Sequence, residues 1–285
     1  MLCGAVCASS ADSQSPEVIF RIPKMAVAGA VALFVPLSLS IGFGEMYRAQ
    51  ARGALARSDA ATATELAKSS LGISLADGYA HSILARANGS LEEAKLAASL
   101  APSPKNHRAV ALMQLRAGDY QAAKSSYKRA LQRDPQNFPA LLGLMNAGVQ
   151  YGIEEDAVAA AKRLIEAEKS TYFTVTSQAE IIPIGSYQAR LYLASLNPPN
   201  KAELLVEAVK GFIRYRDTTV PMASRQFAVN PNANVGGEDK SAMIDTLNKA
   251  ARAAKDLGSL QPRDFGFDPA AEATRFEEAA AGLIK

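Results

Sequence analysis

The sequence predicts an all-α chain of successive antiparallel helical hairpins, preceded by one transmembrane helix. Three observations carry this reading. The composition is 48% hydrophobic but only 7% aromatic, with no Trp. Much of the apolar share is Ala, the best helix former, whereas a β-sandwich would draw on Val, Ile, Thr and aromatics. Gly118 and Ala123 recur 34 residues later as Gly152 and Ala157. Residues 25–44 form a run of twenty without a charge.

The elements follow in chain order. Residues 1–24 read as a disordered tail that holds both cysteines, Cys3 and Cys7. The body beyond them therefore has neither a disulfide framework nor a thiolate metal site. Lipidation at Cys7 would need an apolar stretch upstream of it, and none is present. Residues 25–44, MAVAGAVALFVPLSLSIGFG, have the length a helix needs to cross a hydrocarbon core of about 30 Å, and Pro36 is tolerable there. Signal anchor and cleaved signal peptide are the two readings. Ser38-Leu39-Ser40 offers a cleavage pattern, but the apolar run outlasts a typical leader and continues through Ile41 and Phe43, which favours the anchor. Arg21 and Lys24 abut the run, against Arg48, Arg52 and Arg57 beyond it. The abutting pair predicts an inside amino terminus and an extracytoplasmic body, in a bacterial periplasm or its equivalent.

Residues 45–217 carry the hairpins. Over 46–75, Ala63, Ala67 and Leu71 share one helical face. Gly89-Ser90-Leu91 then gives a turn, followed by Ala94 and a short helix ending at Pro102. The clearest unit is 106–137, NHRAVALMQLRAGDYQAAKSSYKRALQRDPQN. Gly118-Asp119-Tyr120 is its turn, Ala123 and Ala130 are small residues that permit close helix approach, and Tyr127 is a large knob between them. Asp134-Pro135 ends the second helix. This unit resembles a tetratricopeptide repeat: Ala123-x3-Tyr127 followed by Pro135 matches that family's pattern. The first helix departs from it, with His107 in place of Trp and Gln114 in place of Tyr. The same period carries Gly152, Ala157, Ala161 and Leu144-Met145 through 138–171, with Lys169 where Pro is expected. The resemblance implies a tetratricopeptide-like α-solenoid.

Beyond Lys169 the pattern changes. The β-branched, aromatic run 171–176 predicts an extended connector. A further hairpin follows over 186–196 and 201–215, with Leu204, Leu205, Ala208, Val209 and Phe212 as an apolar stripe. Residues 218–240, rich in Pro, Asn and Gly, predict a loop. Residues 241–285 predict two capping helices, 241–257 and 269–284, with polar outer faces.

The same residues argue against catalysis. The chain has two histidines, His81 and His107, and neither has a Cys or His near it in sequence that would complete a metal site. No GxSxG, HExxH or phosphate-loop pattern occurs, and Glu154-Glu155-Asp156 starts a helix, where carboxylates complement the dipole. The sequence thus predicts no enzyme, cofactor or metal. A formal charge of +3 from 31 basic and 28 acidic residues is too balanced for a nucleic-acid stripe.

A peptide groove is what the resemblance implies, lined by the first helix of each pair. Its candidate residues are Lys105, Arg108 and Leu112, then Leu142, Asn146 and Val149, then Tyr187 and Arg190. Of the family's carboxylate clamp, Asn146 alone fits well. The mixed apolar and basic lining suits an acidic or carboxylate-bearing partner peptide. The reading that follows is a membrane-tethered interaction scaffold in an envelope-associated assembly. The alternative is an accessory repeat subunit of a separately encoded membrane enzyme, in polysaccharide assembly, secretion or cytochrome maturation.

Overall fold

The computed structural model describes residues 42–74, 76–168, 184–233, 239–260 and 265–284. The chain has two compact units, Met1–Gly42 and Phe43–Lys285. The tail, the apolar run through Ile41 and the expected connector at 171–176 lie outside the described residues. Among the described residues no helix is long and apolar enough to cross a membrane.

Among those residues every regular element is a helix. The first three hairpins are α1 (42–56) with α2 (Ala60–Ile73), α3 (Gly78–Asn88) with α4 (Leu91–Leu100), and α5 (Pro104–Arg116) with α6 (Tyr120–Arg133). Two more follow, α7 (Phe138–Gln150) with α8 (Glu154–Glu168), and α9 (Gly185–Ser195) with α10 (Lys201–Val229). Then come α11 (Lys240–Gly258) and α12 (Pro269–Ile284). Gly44 was expected to close the membrane segment. It is instead buried within α1, and its carbonyl accepts a hydrogen bond from Ser70 Oγ at 3.3 Å. The folded body therefore takes in Phe43 and Gly44.

Local chemistry sets the hairpin boundaries. Gly89, Gly118 and Gly152 adopt φ of 66°, 81° and 68°, the left-handed conformation that glycine reaches without a Cβ penalty. Directly after two of them, Ser90 and Asp119 cap α4 and α6, accepting from the amides of Glu93 and Ala122. Ser103 and Asn137 cap α5 and α7 in the same way. Ala123, Ala130 and Tyr127 are all buried, as the repeat spacing predicts.

The apolar interior is a series of clusters. Ala51, Ala54, Ala63, Ala67, Ile83 and Leu84 join α1, α2 and α3. Ala85, Ala94, Ala98, Val110 and Met113 join α3, α4 and α5. A larger cluster around Tyr127, Leu141 and Leu164 extends from α5 to Ala189 of α9. The largest joins α9 to α12 around Phe212, Tyr215, Met243, Leu247 and Phe276.

The expected loop over 218–240 is wrong for most of its length, because α10 continues to Val229 with Pro221 inside it. A proline inside a helix costs about 3 kcal/mol. Burial offsets that cost: Val220, Ala223 and Phe227 enter the cluster shared with α11 and α12, and Thr219 is buried beside them. Composition alone reads these residues as a breaker.

One polar link joins successive hairpins on their outer side. Asp156 Oδ2 accepts from Tyr120 Oη at 2.6 Å and pairs with Lys124 Nζ at 2.5 Å, tying α8 to α6. Burial pushes the Asp156 carboxyl up, but the bonds from Lys124 and Tyr120 outweigh it and hold the pKa below the ordinary 3.8. A depressed carboxylate stabilises the fold above its unfolded pKa and loses that contribution as pH falls through the folded value. Asp156→Asn should therefore cost about 1.5–3 kcal/mol at pH 7, and the difference should shrink below about pH 4. Urea unfolding of both proteins across that pH range would check it, and an undiminished gap at low pH would refute it.

Candidate binding groove

The first helices of successive hairpins lie side by side. The α3, α5, α7 and α9 backbones touch in sequence, whereas α6 lies farther from both α4 and α8. That asymmetry puts α3, α5, α7 and α9 on the inner side of the stack.

Cations stand near one another at the amino-terminal part of this face: Arg86 of α3 with Lys105 and Arg108 of α5, and Arg52 of α1 close enough to act on Lys105. Partial desolvation of its largely exposed side chain lowers the Lys105 pKa first, and the charges of Arg86, Arg108 and Arg52 lower it further. Arg108 is half-buried, and its pKa is lowered by that burial and by Arg86. Among the described residues none of the four forms an ion pair. Beneath them the Tyr127 hydroxyl is fully buried without a hydrogen-bond partner, and burial pushes its pKa up to about 12 although Arg108 pulls it down. Like charges repel, so such a group is stable only where water or an anion screens it.

Toward the other end the groove deepens into a cavity of about 380 Å³ between α7, α9, α10 and α11. Met145, Val149, Leu191 and Leu205 give it apolar walls, and Asn146, Gln188, Lys249 and Arg252 stand among its polar lining. Sequence spacing found Asn146 and Val149. It missed the α11 residues, which no repeat period reaches.

The remaining candidates divide. Lys105 and Leu112 are exposed on α5. Leu142 is half-buried, with its side chain against Gly185 at the start of α9. Arg190 is a correction: it is buried, pairs with Glu168 at 2.6 Å and stacks on Tyr187 with 5.9 Å to the ring centroid. Its charge is used within the fold. Tyr187 is buried as well, against Phe212 and Gly211.

His81 Nδ1 meets Glu93 Oε2 at 2.5 Å, bracing α3 against α4. Burial, together with Arg133 and Arg129, holds the His107 pKa below its ordinary value. Among the described residues no three His, Cys, Asp or Glu side chains converge on a possible metal position.

Residues 114–173 match the tetratricopeptide repeat family. The matched repeat segment runs from the end of α5 through α6, α7 and α8. Curated proteins give no match. A tetratricopeptide repeat protein from Parabacteroides merdae is 14% identical over 84% of this chain and 99% of its own, with a TM-score of 0.39. The P58(IPK) tetratricopeptide domain is 14% identical over 92% of this chain and 70% of its own, with a TM-score of 0.32.

Proposed function

We propose that this chain is a membrane-tethered interaction scaffold whose inner face holds an acidic, extended segment of a partner protein. The observation that carries the reading is the convergence of Arg52, Arg86, Lys105 and Arg108 without a carboxylate among the described residues. Carboxylates of a bound segment would complete this group, because Arg presents a planar fork that matches them bidentately. Farther along, Asn146 and Gln188 can meet the segment's backbone while the cavity accepts an apolar side chain. The tetratricopeptide match supports binding as the activity rather than catalysis. The uncharged run ahead of α1, residues 25–41, is the tether, with the helical body on the extracytoplasmic side and the partner in an envelope assembly.

Replacing Arg86 and Arg108 together by Ala should weaken partner capture by about ten- to a hundredfold while leaving the melting temperature nearly unchanged. Added salt should weaken the parent interaction more than that of the double variant. Quantitative crosslinking from detergent-solubilised native membranes would measure both effects. Equal capture by parent and variant would place the working surface away from this cation group.

A further inference from the structure

Among the described residues, five of the twelve exposed large apolar side chains belong to one end of the first two hairpins. Phe43, Met46, Ile73, Tyr79 and Leu100 are each 38–62% exposed, and each stands at the start of α1 or α3 or at the end of α2 or α4. Antiparallel pairing places those four helix ends together, and two sets of contacts fix the arrangement. Asp77, ahead of α3, accepts from Arg48 Nη1 at 3.0 Å and from Ser70 Oγ at 2.9 Å, and Ser70 also reaches the Gly44 carbonyl. At Gly78 a Cβ would stand 2.7 Å from Ala101 Cβ and 3.1 Å from Leu100 Cβ, so α3 starts hard against the end of α4. Arg48 also covers one side of Tyr79, 5.6 Å from its ring centroid.

The opposite end of the same hairpins is polar. Arg57, Asp59, Asn88 and Glu92 gather there, and Thr64 Oγ1 donates to Asn88 Oδ1 at 2.9 Å. One end of these two hairpins therefore exposes large apolar side chains around the Arg48–Asp77 pair and Glu45, and the other exposes polar and charged ones.

We infer that the apolar end, with Phe43, Met46, Ile73, Tyr79 and Leu100, rests in the headgroup–acyl boundary of the membrane. This rests on the tether reading above, because in the chain the uncharged run leads straight into the start of α1, where Phe43 stands, and not into the polar end. A soluble domain gains nothing from leaving five such side chains together in water. A tyrosine is well suited to the interface, where its ring is buried and its hydroxyl stays wet. Side chains at such a boundary sink about 5–10 Å, a depth that helix ends reach without unfolding. Glu45 is the one exposed charge among residues 43–46, so the contact depends on apolar burial and little on anionic lipid. The groove cations then stay free for the partner.

The chain contains no Trp, so Tyr79→Trp in the full chain introduces a single reporter at a position that is already exposed and aromatic. Leu112→Trp on the exposed side of α5 serves as the comparison. Both proteins are reconstituted into phosphatidylcholine vesicles and recovered by flotation. Tyr79→Trp emission should lie to the blue of Leu112→Trp, resist aqueous iodide and be strongly quenched by phosphatidylcholine brominated near the top of its chains. Co-flotation with equal iodide quenching at both positions would leave the tether standing and overturn the inference. Shielding from iodide without quenching by brominated lipid would make the occupant protein, a second copy or the chain's own amino-terminal residues, and would equally overturn it. Failure of either chain to float would remove tether and inference together.

Discussion

Glu272→Ala is expected to destabilise the folded chain by about 3 kcal/mol, the low end of what breaking a buried ion pair costs. Glu272 of α12 is buried, with its side chain 6% exposed, and accepts from Arg216 Nη1 of α10 at 2.5 Å. It also pairs with Arg275 of its own helix. Burial draws the Arg216 pKa down, but its bonds to Asp217 and Glu272 more than reverse that. Without Glu272, the guanidinium would keep the half-exposed Asp217 and the Phe276 ring, whose centroid is 5.2 Å away. The cost should therefore stay at the low end of the range. Replacing the pair together, Arg216→Met with Glu272→Leu, removes the stranded charge and should be close to neutral. Equilibrium urea unfolding of the single and double variants would check this. A single variant as stable as the parent would show that the pair does not hold α12 to α10.

Gly211→Ala should cost about 2 kcal/mol or more, against a helix propensity that by itself favours Ala by about 0.8–1.0 kcal/mol. A Cβ on Gly211 would stand 2.3 Å from Tyr187 Cδ1 and Cε1, well inside contact distance. The ring has little room to withdraw. Phe212 meets it edge-on with centroids 5.7 Å apart, and Arg214 Nη2 donates to its hydroxyl at 3.3 Å. Gly72→Ala in α2 is the natural control, because nothing lies within 4 Å of that Cβ. It should be neutral or stabilising by up to about 1 kcal/mol. Thermal melts separating the two variants in opposite directions would establish the ring contact, and parallel shifts would remove it.

Period, turn chemistry and small residues made the central hairpins legible. Gly118 and Gly152 mark chain reversals because the left-handed backbone penalises other residues, and Ala123 and Ala157 recur because two helices cross there. These are local rules, and they hold wherever the repeat does. The failures have a different physical origin. Pro221, Asn230 and their neighbours carry strong local signals for a loop, but burial of Val220, Ala223 and Phe227 against α11 and α12 overrode them through residue 229. Arg190 occupies a groove register by period, yet Glu168 of the preceding hairpin claims it. The cation group was half-legible: Lys105 and Arg108 follow from the face of one helix, whereas Arg52 and Arg86 join them only through the stacking of α1, α3 and α5. The apolar end of the first two hairpins belongs to no repeat position, so periodicity could not mark it.

The stringing of the interior into successive clusters bears on how the protein comes apart. No single nucleus holds the whole body. The amino-terminal cluster is made largely of Ala51, Ala54, Ala63 and Ala67, side chains that bury little area, whereas the carboxyl-terminal one contains Phe212, Tyr215, Phe227 and Phe276. Loss of structure should therefore proceed as fraying from α1 and α2 inward, with sub-global openings below the free energy of complete unfolding. Amide hydrogens of α1 and α2 should exchange fastest, and those of α10 and α11 slowest. A tether at the amino terminus would attach the membrane to the least cooperative end of the molecule. Tension carried through that attachment would then peel away the first hairpins, Arg52 and Arg86 among them, before it reached the cavity under α11.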